Sequence, residues 1–202
     1  MEPVVPVRRT LAMRCPLPMD NVPMSTAPLP PGVVVRQLEP GDESELGQLM
    51  YDAYLGGVED HGETLEWHRA DAAHTLAGGW GSVLWHASFW ATVEGKPAGT
   101  TIVTDWAEFN DTGLSFALVD PAARGLGLGA ALITLSGAAL SATGHRDWVL
   151  AVEPNNPALR LYERLGFAVF EPVRKPSAEA DARIEDGVQH VDQDVGHDDR
   201  RR

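Results

Sequence analysis

Apolar positions between residues 33 and 170 recur with two periods, and their succession lays out a β-α-α-β-β-β-α-β-α-β chain. Residues 33–37 (VVVRQ) predict a short strand. Leu46, Leu49, Met50, Ala53 and Tyr54 return at helical spacing, behind an Asp42…Glu45 pair that resembles a capping box, and Gly56-Gly57 ends that helix. A second helix is expected over 65–76, stopped by Gly78-Gly79. Val83, Trp85, Ala87, Phe89, Ala91 and Val93 alternate as one face of a long strand, which turns at Glu94-Gly95-Lys96 into a second strand over 98–104. A third strand is expected over 114–119, a helix over 127–142 ending before Gly144, and a fourth strand over 148–152. Asn156 then caps a helix opened by Pro157 and closed by Gly166, and 167–170 forms a last strand. These elements predict an α/β fold, a mixed sheet with helices packed against it, over residues 33–175.

The flanks lack this periodicity. Residues 1–32 hold eight of the fifteen prolines and read as a disordered leader, in which Met13, Met19 and Met24 offer starts alternative to Met1. Residues 176–202 are Asp-rich, end in Arg200-Arg201-Arg202, and read as a disordered acidic tail in which His190 and His197 are solvated. Prolines interrupt the stretch after Arg8 and Arg9, so no secretory signal is expected. No apolar run is long enough for a membrane-spanning helix, and Cys15 is the single cysteine, so a cytoplasmic protein without a disulfide or thiolate metal cluster is expected.

The chemistry concentrates where strand 114–119 passes through Val119-Asp120-Pro121-Ala122-Ala123-Arg124-Gly125-Leu126-Gly127-Leu128-Gly129-Ala130 into a helix. The first N–H groups of a helix lack intrahelical partners and the helix dipole adds positive character, so a Gly-rich entry makes an anion cradle that suits a pyrophosphate. Arg124 adds a cation with forked donors, and Asp120 shapes the turn. Read alone, Gly125-x-Gly127-x-x-Ala130 also meets a loose dinucleotide fingerprint, with Glu153 at the end of the next strand as a ribose-binding acid. Only one short strand follows, however, too few to complete a doubly wound sheet.

The cradle, with its Arg124-Gly125-Leu126-Gly127-Leu128-Gly129, resembles the central motif of the GNAT superfamily of N-acetyltransferases. A second family-like segment follows at the usual interval, Asn155-Asn156-Pro157-Ala158-Leu159-Arg160-Leu161-Tyr162-Glu163-Arg164-Leu165-Gly166-Phe167. The resemblance is sharp over about residues 113–170 and implies a GNAT-like fold, a mostly antiparallel central sheet flanked by helices, with acetyl-coenzyme A as acyl donor. It implies that the main chain of Leu118 and Val119 binds the pantetheine arm, and that the amides of Arg124, Gly125, Leu126, Gly127, Leu128, Gly129 and Ala130 hold the pyrophosphate. It also implies that Asn155 contacts the cofactor arm, and that Tyr162 faces the sulfur, to protonate the leaving thiolate or to hydrogen-bond it. It allows a homodimer.

Amide formation needs a neutral amine and an acceptor for its proton. Many members of the family place a glutamate on the strand before the cradle, but Leu114-Ser115-Phe116-Ala117-Leu118-Val119 has no acid. The candidates are Glu153, Asp105 and Glu108, or a water relay to a more distant carboxylate. A catalytic pair of Tyr162 and Glu153 is the resulting expectation, with a non-catalytic acyl-coenzyme A sensor as the alternative.

Charge narrows the partners. The net charge is −13, of which residues 33–175 carry −10, so a duplex nucleic-acid partner is disfavoured and a cationic amine or basic peptide is favoured. Trp67, Trp80, Trp85, Trp90 and Trp106 crowd the half that would receive the acceptor, where an aromatic wall suits a cation, although Trp85 falls on an apolar strand face. His61, His68, His74 and His86 show no metal-ligand spacing, and no metal is expected.

Overall fold

The computed structural model describes residues 10–19, 29, 31–106 and 111–171, so the acidic tail at 176–202 and Glu108 lie outside the described residues. Its strands are β1 (Leu11–Pro16), β2 (Val33–Gln37), β3 (Phe89–Val93), β4 (Lys96–Trp106), β5 (Asp111–Val119), β6 (Asp147–Val152) and β7 (Ala168–Val169). Its helices are α1 (Glu43–Tyr54), α2 (Leu65–Leu76), α3 (Leu128–Ala142) and α4 (Leu159–Arg164). The strands form one sheet in the order β2-β3-β4-β5-β6-β1-β7. Neighbours are antiparallel except β5 and β6, which run parallel. A doubly wound dinucleotide fold needs a mostly parallel sheet, so the dinucleotide alternative ends here.

The leader expected over 1–32 is corrected by β1. All six of its residues pair with β6, from Leu11↔Val152 to Pro16↔Asp147, and it separates β6 from β7. Met13 and Cys15 point into the core at 0% and 2% exposure. Arg14, on the other face, pairs with Asp111 at 2.7 Å and with Asp147. The period-two pattern of Leu11, Met13 and Cys15 is short and sits in a proline-rich run; pairing with a neighbouring strand, not local propensity, makes it β.

Alternate residues of the sheet feed two apolar layers. Trp90, Ile102 and Leu118 pack with Leu46, Leu49 and Met50 of α1 and with Ala72 and Leu76 of α2. Ala91 and Ala98 pack with Leu128 and Leu132 of α3, and a Thr101–Ser136 hydroxyl pair at 2.9 Å pins α3 to β4. A third cluster joins Met13 and Cys15 of β1 to Trp148, Leu150 and Val152 of β6, Ile133 and Leu140 of α3, Tyr162 of α4, and Leu165 just after it.

The long strand expected from Val83 to Val93 is broken. Val83 makes a lone bridge to Thr104, Trp85–Ala87 coil into a 3-10 turn, and pairing resumes only at Phe89. Buried Ser88 mends the gap: its Oγ accepts from the Val103 N–H at 3.0 Å and donates to the Leu84 carbonyl at 3.0 Å. The capping box at Asp42 does not form either. Its carboxylate turns from the helix to Arg36, at 2.7 and 2.8 Å, and to the Glu39 N–H at 2.9 Å. No helix among the described residues is long and apolar enough to cross a membrane.

Candidate functional site

The site begins where β5 and β6 part. Their pairing among the described residues is Gly113↔Val149, near the start of β5. Further along, Leu118 and Val119 pair with Thr100 and Gly99 of β4 on one side only. The β6 side of that strand end is left open as an edge, the kind of main-chain surface that an extended ligand can complete.

From Val119 the chain enters the cradle through a tight bend. Asp120 accepts from the Ala122 N–H at 2.8 Å and starts the 3-10 turn Pro121–Ala123, a structural role as expected for it. Gly125 and Gly127 then take φ of +81° and +76°, values that side chains other than glycine's rarely tolerate. Gly127 is the N-cap of α3 and no side chain caps that terminus, so its first N–H groups point outward, Leu128, Gly129 and Ala130 among them. A Cβ built at Gly125 or Gly127 meets nothing within 4 Å, so the backbone faces open space there and fits an approaching pyrophosphate. At Gly129 a Cβ would stand 3.4 Å from Val119 and 3.6 Å from Leu161, so α3 lies close against β5 and α4. Leu126 is exposed beside the bend, whereas Leu128 is buried beneath it and anchors the helix start. The guanidinium of Arg124 takes a bracing position, donating to the Ala53 carbonyl at 2.7 Å and the Val119 carbonyl at 3.4 Å, which ties the cradle to the end of α1.

The second segment closes the other side. Asn155 is exposed at the tip of the β6–α4 turn. Its neighbour Asn156 does the holding: its carbonyl accepts from the Ala158 N–H at 2.8 Å, and its amide donates to Glu59 at 2.9 Å. Tyr162, 9% exposed, stands edge-on to Phe167 with ring centroids 5.9 Å apart. Burial, followed by the negative charge of Glu59, pushes the Tyr162 phenol up to about 12. The same two causes, burial before Glu59, push the Tyr54 phenol up as well. Both phenols therefore keep their protons at neutral pH.

Glu59 belongs to the α1–α2 loop, which sequence reasoning passed over. Asp60 closes this loop on itself, accepting from the N–H groups of Gly56 at 2.7 Å and Gly62 at 2.9 Å, and these donors, Gly56 first, hold its carboxyl below the usual range. The closed loop presents Glu59 and His61 toward Glu153. His61 Nε2 is 3.9 Å from Glu153 Oε1, and one ligand atom from each of Glu59, His61 and Glu153 lies within 4.8 Å of the others. Beneath the loop, His68 is buried against Tyr54, with ring centroids 5.7 Å apart.

Of the acids considered as base that lie among the described residues, Glu153 joins this group and Asp105 does not. Asp105 pairs with Thr112 at the opposite end of β5, roughly 20 Å along the strand from the Gly99↔Val119 pair. The tryptophans serve varied ends: Trp90 is core, Trp106 donates to Ser115 at 2.9 Å, and Trp67 and Trp80 stand half exposed on and after α2. The sequence held no local signal for Glu59, because its partner Asn156 is 97 residues away.

Comparison with known proteins agrees with this geometry. Residues 85–169 match the family model for the acetyltransferase (GNAT) domain. The chain is 34% identical over 172 residues to the mycothiol acetyltransferase of Thermomonospora curvata, covering 81% of this chain and 53% of that protein. It spans about half the length of the curated relatives it matches. Among solved structures, a GCN5-related N-acetyltransferase from Sphaerobacter thermophilus superposes with a TM-score of 0.60 at 22% identity, over 84% of this chain and 53% of that one. A GNAT family acetyltransferase from Brucella melitensis, solved in complex with acetyl-CoA, gives a TM-score of 0.50 at 23% identity, over 71% of this chain and 91% of that one. With a β5–β6 opening and a glycine cradle at the head of α3, the chain carries an acetyltransferase (GNAT) domain, matched over residues 85–169, on the fold of the solved GNAT acetyltransferases.

Proposed function

We propose that the chain transfers an acetyl group from acetyl-coenzyme A to the amine of a small molecule, by direct attack within a ternary complex. The observation that carries this reading is the pair of left-handed glycines, Gly125 and Gly127, that opens the uncapped start of α3 beside the unpaired edge of Leu118 and Val119. Pyrophosphate binding uses the amides from Arg124 to Ala130, and the pantetheine arm completes the β5 edge. Asn155 flanks the arm from the β6–α4 turn. The name of the mycothiol acetyltransferase relatives supports a small-molecule acceptor, and the acetyl-CoA complex of the Brucella melitensis neighbour supports the donor.

The chain's own groups divide the chemistry. Tyr162, kept neutral by burial, gives its proton to the departing thiolate. A main-chain N–H near Val119 stabilises the oxyanion of the tetrahedral intermediate. The amine's proton leaves toward the carboxylate side of the cleft, where Glu153 stands.

Calorimetry with acetyl-coenzyme A and with NAD, followed by thiol-release assays over a panel of amines, tests this. Micromolar acetyl-coenzyme A binding with turnover of at least one amine is the expected result. Tight binding without turnover of any amine would instead support a sensor, and NAD binding without coenzyme A binding would overturn the reading altogether.

A further inference from the structure

Among the described phenylalanine, tyrosine and tryptophan side chains, Trp67 and Trp80 are the two exposed ones, at 50% and 54%, and they flank one carboxylate. Trp67 and Asp71 stand four residues apart on α2, so their side chains are neighbours on one flank of the helix. From the other side the indole N–H of Trp80 donates to Asp71 Oδ1 at 3.1 Å. A histidine braces each indole. His68 stands perpendicular to Trp67 with ring centroids 5.1 Å apart, and His74 stands perpendicular to Trp80 at 5.4 Å. The Trp80 main chain is fixed as well, its carbonyl accepting from the Thr104 hydroxyl of β4 at 3.2 Å. Apolar side chains scattered singly over a surface need no explanation, but two indoles held in place around one acid form a built surface.

This flank of α2 adjoins the transfer site. His68 packs on Tyr54, with ring centroids 5.7 Å apart, at the end of α1 that Arg124 ties to the cradle through the Ala53 carbonyl. Burial first, and then the charges of Glu59, Tyr162 and Asp71, push the Tyr54 phenol up, so that one ring lies within reach of both Tyr162 and Asp71. Resting on the acetyl-transfer reading above, we propose that Trp67, Asp71 and Trp80 form a subsite for a second cationic group of the acceptor, an ammonium or guanidinium set apart from the amine that is acetylated.

Charge chooses a cation over a neutral ring. The face of an indole is the negative side of its quadrupole and attracts a cation within about 6 Å of the ring centroid. Asp71 gives one oxygen to the Trp80 N–H, and a carboxylate has lone pairs for further donors. Glu63 adds negative charge at the Trp67 end, beside the Thr64 hydroxyl that accepts from the Trp67 N–H at 3.2 Å. Arg69, the basic residue of α2 other than its histidines, is turned to the opposite flank and packs against Gly47 of α1. An acceptor that carries a second cation is therefore held at two points, at its reacting amine and at this flank. An acceptor with one charge is held only at the first, and an anion is repelled by both Asp71 and Glu63.

Spermidine and a methoxy-terminated ether amine of the same length share a primary amine and differ in the further charge. Thiol release should be at least tenfold greater in kcat/KM for spermidine, with the difference carried by KM. Trp67→Ala and Trp80→Ala should each lower that ratio about threefold by raising KM for spermidine, the scale of one exposed cation–π contact. Asp71→Asn keeps an oxygen for the Trp80 N–H and loses only the charge, so it should lower the ratio at an unchanged unfolding midpoint. Spermidine should also shift the tryptophan fluorescence of the wild type saturably without any cofactor, and leave that of the double variant Trp67→Ala, Trp80→Ala unmoved. Equal kcat/KM for the two amines, or a ratio unmoved in both tryptophan variants, overturns the subsite while leaving acetyl transfer standing. A fluorescence shift with methyl glucoside and none with spermidine overturns it in favour of a sugar platform. A wild-type dimer that either tryptophan variant dissociates overturns it in favour of contact between two copies of the chain. Turnover of no amine overturns acetyl transfer itself; the fluorescence titration then decides separately whether this flank holds a cation, and an absent shift overturns that too.

Discussion

The side-chain amide of Asn156 donates to Glu59 at 2.9 Å, while its carbonyl accepts from the Ala158 N–H at 2.8 Å, so one residue holds the α1–α2 loop against the turn that starts α4. Asn156→Asp keeps the carbonyl's task and replaces the donor with a negative charge facing Glu59. A charged hydrogen bond of about 1.5–3 kcal/mol is lost and repulsion takes its place. Because Asp60 binds Gly56 and Gly62, the loop should loosen as a unit. Amide exchange over residues 56–62 is expected to quicken at least tenfold, with α4 unchanged; unchanged exchange in the loop would show that the bond does not hold it.

Met13 is fully buried in β1 and pairs with both Leu150 and Val169. Met13→Ala should cost about 2–5 kcal/mol, the range for emptying a buried methionine site. Chains begun at Met19 or Met24 lack β1, leaving β6 and β7 without their shared neighbour and Asp111 and Asp147 without Arg14. Such chains are expected to be insoluble or to lack a cooperative unfolding transition in circular dichroism. A cooperative transition at the full-length midpoint would show that β1 contributes nothing.

What was legible in the sequence was what local pattern encodes. The amphipathic run of α1, with Leu46, Leu49 and Met50 buried, and the short strand β2 stand where the apolar pattern places them. The cradle was legible too, because left-handed turns demand glycine and so write Gly125 and Gly127 into the chain. The misses share a cause in distant partners. β1 is a strand only because β6 and β7 flank it. The alternation from Val83 to Val93 continues through a 3-10 turn because Ser88, not a backbone group, supplies the missing ladder contacts. Asp42 prefers Arg36 to its own helix, and Glu59 meets Asn156 and Glu153 only after the sheet is assembled.

Gly127 and Gly129 separate backbone conformation from packing. Gly127→Ala places a Cβ in the open mouth of the cradle at a φ of +76°, at a conformational cost of about 1–2 kcal/mol. It is expected to weaken acetyl-coenzyme A binding at least tenfold by calorimetry. At Gly129 the added carbon would touch Val119 at 3.4 Å and Leu161 at 3.6 Å, away from the cradle's left-handed bend, so Gly129→Ala should reduce affinity less. Equal losses in the two variants would mean that the left-handed bend is not what admits the pyrophosphate.

Tyr162 links the proposed proton transfer to alkaline stability. Its phenol is pushed up to about 12 by burial and then by Glu59, from an unfolded value near 10. A raised folded value means that the neutral phenol is favoured by folding, so this contribution is complete below about pH 10 and is lost as pH rises through about 12. Within that window Tyr162→Phe should lose less stability with rising pH than the wild type, as read by denaturant midpoints at pH 8 and pH 11. In turnover, Tyr162→Phe should keep acetyl-coenzyme A affinity and lower kcat about 100-fold, the range for one proton-transferring group. Because the phenol holds its proton to such high pH, any fall in wild-type kcat between pH 8 and pH 10 comes from another group and persists, in proportion, in Tyr162→Phe. A kcat within twofold of the wild type would remove Tyr162 from the proton path and reduce it to packing against Phe167.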